Sequence, residues 1–148
     1  MAKALLFFSL LLISTLLSYS SPDPPTLAHA ELTNYGFPIG LLPSSVQTYS
    51  LNQTSGEFSV QLVGVCKLTL PPDNYLATYS SKIKGKIEQG RIAKLDGIRV
   101  RAFFKWWSIT GIRSSGDNLV FEVGMASAKF PSKNFDESPD CDGQKSAS

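Results

Sequence analysis

The sequence feature that most constrains the fold is the stretch 98–107, which contains both tryptophans of the chain. Apolar and basic side chains alternate along it: Ile98, Val100, Ala102, Phe104 and Trp106 fall on one face, and Arg99, Arg101 and Lys105 on the other. A period of two is typical of a half-buried antiparallel strand and not of a helix. We therefore predict a single strand here, at the centre of the core.

Aromatic rings occur on both faces of this predicted strand, because four of the five residues 103–107 are Phe or Trp. Two such faces need two apolar environments. Either a helix at 26–35 and the connector 37–42 cover the second face, or a barrel mouth or groove holds an apolar ligand there. The candidate ligand-binding residues are Phe103, Trp107, Phe104, Trp106, Phe37 and Leu41.

The rest of the chain predicts a mainly β fold. Turn-forming residues recur every eight to twelve positions and delimit about eight or nine short strands, which favours an antiparallel β-barrel or closed sandwich. Asp96-Gly97 is a strong two-residue hairpin signal leading into the central strand. One short N-terminal helix is expected at 26–35, with Thr26 as its cap and Gly36 at its end.

The N-terminus has the pattern of a secretory signal peptide. Lys3 precedes an apolar run of about 14 residues, and small residues follow up to Ser20. The run is too short for a transmembrane anchor, which needs about 20 apolar residues. We predict a signal peptide at 1–20, a proline-rich linker at 21–25, one β-rich domain at 26–141 and a disordered tail at 142–148. The protein is then expected to be extracellular or to stay in the secretory pathway.

Two features fit an extracellular protein. Cys66 and Cys141 are the only cysteines, and a single pair in an oxidising compartment predicts a disulfide. It would close a loop of about 75 residues and contribute roughly 4 kcal/mol in the chain-entropy model. Asn52-Gln53-Thr54 is a glycosylation sequon in a polar turn.

The formal net charge is only +2, but the basic residues are concentrated between positions 82 and 105. This stretch contains eight basic residues and only two acidic ones, Glu88 and Asp96. The basic patch comprises Lys82, Lys84, Lys86, Arg99 and Arg101. It is either the solvated face of a hairpin or a surface for an anionic partner such as lipid headgroups or an acidic polysaccharide. Nucleic acid is not expected, because aromatic residues are not interleaved as in RNA-binding modules.

No reaction is specified by the residues. His29 is the only histidine, near a terminus where exposure is expected, and no Gly-x-Ser-x-Gly turn presents a nucleophile. One histidine and two cysteines cannot supply a usual zinc site. We assign no catalytic residue, metal or cofactor.

Several short motifs nevertheless resemble those of one family. The segment Tyr35-Gly36-Phe37-Pro38-Ile39-Gly40-Leu41-Leu42-Pro43 is followed by Gly85-x-Ile87-x-x-Gly90, Phe104-x-Trp106-x-x-Ile109 and Pro139-x-Cys141. These resemble the plant domain of unknown function 538, over about residues 31–141. The resemblance implies a mostly β, barrel-like fold with a short N-terminal helix. A kinship with lipid-binding proteins of the bactericidal/permeability-increasing type and an esterase-like activity have both been suggested for that family, and no catalytic residue is carried over.

We thus expect a secreted, monomeric, disulfide-tied β-barrel, located in the apoplast or the secretory pathway, that binds a lipid or another apolar or amphipathic molecule. Two alternatives stay open: a hydrolase of esters or cell-wall polymers, and an interaction module without a pocket.

Overall fold

The computed structural model describes residues 26–71 and 73–143, which form one α-helix and nine β-strands. The elements are α1 (Leu27–Asn34), β1 (Val46–Leu51), β2 (Glu57–Leu62), β3 (Cys66–Leu70), β4 (Tyr75–Glu88), β5 (Arg91–Ala102), β6 (Lys105–Ser108), β7 (Gly111–Ser115), β8 (Asn118–Val123) and β9 (Ala126–Pro131). Two 3-10 turns, Ile39–Leu41 and Ser132–Phe135, complete them. The predicted signal peptide, the linker 21–25 and residues 144–148 of the predicted tail lie outside the described residues.

The strands form one antiparallel sheet, which confirms the mainly β fold. Its order is β1-β2-β4-β5-β7-β8-β9, with β3 paired to β4 and β6 paired to β5. The long strands β4 and β5 form its centre, since each pairs with three neighbours. Within residues 26–71 and 73–143 no pairing joins β1 to β9, so the sheet is open and the predicted barrel closure is not confirmed.

The predicted helix is confirmed, with the expected ends. The Thr26 side chain accepts a hydrogen bond from the His29 backbone N–H, and Gly36 follows the helix with φ +88°. Helix α1 contributes Ala28 and Leu32 to the buried core that also contains Ile83 and Ile92 of the central strands. The helix therefore covers the part of the sheet around the β4–β5 turn. The alternative in which it covers the aromatic stretch is wrong.

One turn prediction, in β5, needs correction. Asp96-Gly97 is not a hairpin turn: it lies inside β5, next to irregularities in the pairing with β4. Gly97 has φ +116°, and a β-bulge uses the same positive φ that a tight hairpin turn needs. The dipeptide thus marks a bulge.

The prediction of a single strand over 98–107 is wrong. Strand β5 ends at Ala102, β6 begins at Lys105, and the two strands pair as a hairpin. Phe103 and Phe104 form its two-residue turn, with φ +53° and +66°. Non-glycine residues rarely adopt positive φ, and those that do are mostly Asn and Asp, so two phenylalanines gave no turn signal.

The C-terminal segment is tied to the N-terminal part of the domain. The predicted disulfide Cys66–Cys141 is present, with a Cα–Cα distance of 5.2 Å. The Ser44 N–H donates to the Pro139 carbonyl (2.8 Å), and the Asp142 N–H donates to the Lys67 carbonyl (2.7 Å).

Candidate functional site: an apolar cavity and the hairpin at its rim

A cavity of about 330 Å³ lies at the end of the sheet where β5 meets β6. Its walls come from the end of β3, the start of β4, the β5–β6 hairpin and the β8–β9 hairpin. Of the lining residues only Tyr75, Trp107 and Ser127 have a polar side-chain atom. The Trp107 Nε1–H is already donated to the Ala102 carbonyl (2.9 Å), so the cavity is an almost wholly apolar space.

One wall of the cavity is a cluster of aromatic rings. Phe121 packs against Phe130 and Phe135, with centroid distances of 5.9 and 5.5 Å, and Tyr75 lies 6.2 Å from Phe130. Edge-to-face and tilted contacts of this kind are favourable beyond the area that they bury. Nothing in the sequence pattern marked Phe121 or Phe130 as facing an open space.

The six candidate ligand-binding residues are separated by the fold. Phe103 and Trp107 line the cavity. Phe104 is 97% exposed at the hairpin turn, and Trp106 is 38% exposed on the other side of β6. Phe37 and Leu41 are buried in the core, where Leu41 borders a separate void of about 60 Å³ under α1. The structure brings two of the six together at the cavity.

Cationic side chains are held against the two tryptophans of β6. The guanidinium groups of Arg99 and Arg101 lie 5.6 and 5.9 Å from the Trp106 ring centroid, and the Lys105 Nζ lies 4.4 Å from that of Trp107. Cation–π contacts of this length are attractive. Because Trp107 lines the cavity, Lys105 places a positive charge beside an otherwise apolar site.

The basic patch divides into two groups on the outer face of the sheet. Arg99 and Arg101 pair with Thr78 and Leu76 near the start of β4. Lys82, Lys84 and Lys86 lie further along β4 and pair with β2. All five side chains are exposed. Only the arginine group lies in the hairpin that borders the cavity.

His29 is buried with 0% exposure, so the expectation of an exposed histidine is wrong. Its Nδ1 lies 2.7 Å from the Thr26 Oγ1, and its Nε2 lies 3.2 and 3.1 Å from the carbonyl oxygens of Leu42 and Pro43. Carbonyls only accept hydrogen bonds, so the network assigns the proton to Nε2 and makes Nδ1 the acceptor. Burial lowers the pKa of His29 from its usual 6.5, and the two carbonyl bonds oppose part of that shift.

Ser138 lies beside this histidine, with its Oγ 3.0 Å from the His29 Nε2. A serine–histidine pair is the core of many hydrolytic sites, but a nucleophilic serine must give its proton to an unprotonated ring nitrogen. Here Nε2 carries the proton, and the Ser138 hydroxyl donates to the Leu42 carbonyl (2.6 Å). The pair is therefore arranged as a structural link between α1, the connector and the C-terminal segment.

Other predicted features can be placed but not assigned a role. Asn52 is exposed, and its side-chain oxygen accepts from the N–H groups of Thr54 and Ser55 (2.9 and 3.1 Å). Within residues 26–71 and 73–143 no cluster of histidine, cysteine and acidic residues could hold a metal ion. The helix in the described part of the chain is not long and apolar enough to cross a membrane.

Residues 28–136 match the family described as "Protein of unknown function, DUF538". The chain belongs to the DUF538 family. It is also similar to the uncharacterized protein At5g01610 of Arabidopsis thaliana, with 21% identity over 98 residues. That alignment covers 66% of this chain and 56% of the relative, so the chain spans little more than half of the relative's length. The family resemblance seen in the sequence is confirmed. The matched residues include the whole cavity lining and Cys66, and they end before Cys141.

Proposed function

We propose that this DUF538 protein binds an amphipathic molecule with an apolar chain and an anionic head. The observation that carries the proposal is the 330 Å³ apolar cavity bounded by the two hairpins. Its volume falls at the lower end of the range for small-molecule pockets, about 300–1,000 Å³. The disulfide and the predicted signal peptide support work in the secretory pathway or outside the cell.

The charge at the rim suggests which head group is preferred. An alkyl chain in the cavity needs no hydrogen-bonding partner, and the walls offer few. The Lys105 ammonium, 4.4 Å from the ring centroid of the cavity-lining Trp107, would attract a carboxylate or phosphate at the cavity's edge. We therefore favour fatty acids or phospholipid-like anions over neutral alcohols and cationic amphiphiles.

The proposal is tested by displacement of a dansyl-labelled fatty acid from the purified protein. Unlabelled fatty acids of increasing chain length should compete until the chain exceeds the cavity, and a long-chain alcohol should compete less well. Ala128→Phe places a ring in the cavity lining and is expected to weaken binding at least tenfold. Val65→Phe adds the same ring at an exposed position outside the lining and should leave binding unchanged.

Lys105→Gln separates the contribution of the head group from that of the chain. Loss of one partly exposed charge contact corresponds to about 0.5–1 kcal/mol, or a two- to fivefold weaker affinity for the acid. Affinity for the alcohol should not change. Equal binding by the protein and Ala128→Phe, or no binding by the folded protein at any chain length, would contradict the proposal.

A further inference from the structure

The tip of the β5–β6 hairpin is an unusual surface among the described residues. Phe103 and Phe104 are 86% and 97% exposed there, although they are adjacent and wholly apolar. Phe103 touches the edge of the cavity, and Phe104 projects away from the protein with almost no cover. Two neighbouring exposed rings differ from the scattered single apolar residues that occur on most surfaces.

The backbone beneath these rings is one that phenylalanine normally avoids. Both residues have positive φ, +53° and +66°, at the two central positions of the hairpin turn. Asn-Gly or Asp-Gly is the usual choice there, because a side-chain Cβ is crowded in the left-handed region. The rings therefore disfavour folding of the turn and gain little packing within the protein in return. That combination indicates a role for the rings outside the folded chain.

The flanks of the same hairpin are purely cationic. Arg99, Arg101 and Lys105 are exposed, and no acidic residue occurs between positions 98 and 108. Trp106, partly exposed, lies under both arginines. From the tip inward the hairpin presents the two bare rings, then Lys105, then Trp106 opposite Arg101, and then Arg99. Bare rings at the tip with a tryptophan and cations directly behind them match a bilayer surface, where acyl chains lie beneath an interface that accommodates tryptophan and phosphates.

A second turn reaches the same rim of the cavity. Met125, in the β8–β9 turn, is fully exposed, and its neighbours Val123 and Ala126 line the cavity together with Phe103. Two apolar turns thus border one opening. A flat surface that contacted both turns would also face the cavity mouth.

We propose that this end of the molecule docks on an anionic phospholipid bilayer. Phe103 and Phe104 insert among the outer acyl chains, Met125 makes a second shallow contact, and Arg99, Arg101 and Lys105 bind lipid phosphates. This docking is independent of whether the cavity holds a ligand. A protein partner with an apolar pocket is the competing occupant of the tip, and the test distinguishes the two.

The chain provides its own reporter, because Trp106 and Trp107 are its only tryptophans and both lie in this hairpin. Vesicles of phosphatidylcholine with phosphatidylserine should shift tryptophan emission to the blue, and lipids brominated on the acyl chain should quench it. Binding should be much weaker with phosphatidylcholine alone, and added salt should reduce it through screening. All variants share residues 1–25, so any contribution of that segment is common to every comparison.

The decisive variant is Phe103→Asn with Phe104→Gly. It installs the preferred residues of this turn, so the hairpin is retained while the rings are removed. Burying a phenylalanine contributes about 1.5–3 kcal/mol, so losing two should weaken vesicle partitioning roughly 100-fold or more. Val63→Ser with Val65→Ser, which removes two exposed apolar residues from the β2–β3 loop, is the matched control and should bind vesicles like the unmodified protein.

Replacing Arg99, Arg101 or Lys105 singly by Gln should weaken binding to anionic vesicles about fivefold each. The proposal is overturned if the Asn-Gly variant binds vesicles as the unmodified protein does. The proposal is also overturned if the folded protein does not bind anionic vesicles, or if brominated chains do not quench its emission. Either result favours a protein partner as the molecule that covers the hairpin tip. Ala128→Phe should bind vesicles normally. Phe104→Gly, which leaves the cavity-lining Phe103 in place, should still bind free fatty acid while losing vesicle affinity, so the failure of one proposal can be told from the failure of the other.

Discussion

His29 joins three parts of the chain that are distant in sequence. Its ring contacts Thr26 at the start of α1, the Leu42 and Pro43 carbonyls of the connector, and Ser138 of the C-terminal segment. A lone histidine near a terminus is ordinarily exposed. Here these partners hold the ring inside the protein, and its burial favours the neutral form. The sequence could not reveal them, because the carbonyls belong to the backbone and Ser138 is 109 residues away.

The buried imidazole makes stability depend on pH. Burial lowers the pKa of His29 in the folded state, so below about pH 6.5 the unfolded chain binds a proton that the folded protein does not. The unfolding free energy should therefore be at its full value above pH 6.5. It should fall as the pH drops below that point, by up to about 1.4 kcal/mol per pH unit, until the folded-state pKa is reached.

Urea denaturation at several values between about pH 7.5 and pH 5 measures this slope, with the range chosen above the usual carboxylate pKa values. His29→Gln should lower stability at pH 7.5 but flatten the pH dependence, since Gln does not titrate. An equal slope in the unmodified protein and the variant would show that another group is responsible.

At the scale of elements, the β5–β6 hairpin corrects the strongest sequence prediction. The alternation from Ile98 through Ala102 was real and belongs to the central strand β5. After Ala102 the chain turns at residues 103 and 104 and becomes extended again in β6 at Lys105. The apolar alternation therefore runs on through the turn in the sequence, and it predicts one strand where there are two. Of the two apolar environments inferred for one strand, only one exists within the protein: the cavity that Phe103 and Trp107 line. Phe104 lies instead at an exposed tip.

The strain in this turn predicts an unusual mutant. Phe103→Asn with Phe104→Gly should raise the unfolding free energy by about 1–2 kcal/mol, because left-handed backbone costs a non-glycine residue about that much and the entropy of the added glycine offsets part of the gain. Guanidinium chloride denaturation measures the change, and Val63→Ser with Val65→Ser should stay within about 0.5 kcal/mol. A loss of stability in the Asn-Gly variant would mean that the two rings pack against the protein in solution.

At the scale of the whole molecule, the C-terminal segment holds the N-terminal connector against the sheet. The Ser138 hydroxyl donates to the Leu42 carbonyl of the connector, and the Ser44 N–H, just after the connector, donates to the Pro139 carbonyl. The disulfide ties the same C-terminal segment to β3. Gly40 allows the closest approach: a Cβ there would lie 2.3 Å from the Phe135 carbonyl oxygen. These contacts therefore hold the connector in a single conformation against the domain, although it is rich in Pro and Gly and has an irregular backbone.

Removing the disulfide should loosen this arrangement. Cys66→Ser with Cys141→Ser is expected to lower the unfolding free energy by up to about 4 kcal/mol, since the unfolded chain regains the freedom of a 75-residue loop. Thermal or urea unfolding gives the value. A reducing agent should destabilise the unmodified protein similarly and leave the double-Ser variant unaffected, whereas an effect on both would point to a cause other than the disulfide.

By itself, the sequence determined the elements whose signals are local: the capped helix α1 and the short strands with period-two burial. It also indicated the Cys66–Cys141 pair, because there was no other cysteine to choose. Only the tertiary structure decided that the sheet stays open, that Asp96-Gly97 is a bulge, that His29 is buried, and that an apolar cavity opens beside an exposed aromatic tip. These outcomes depend on strand register and on contacts between residues far apart in the chain, and periodicity within a short window contains neither.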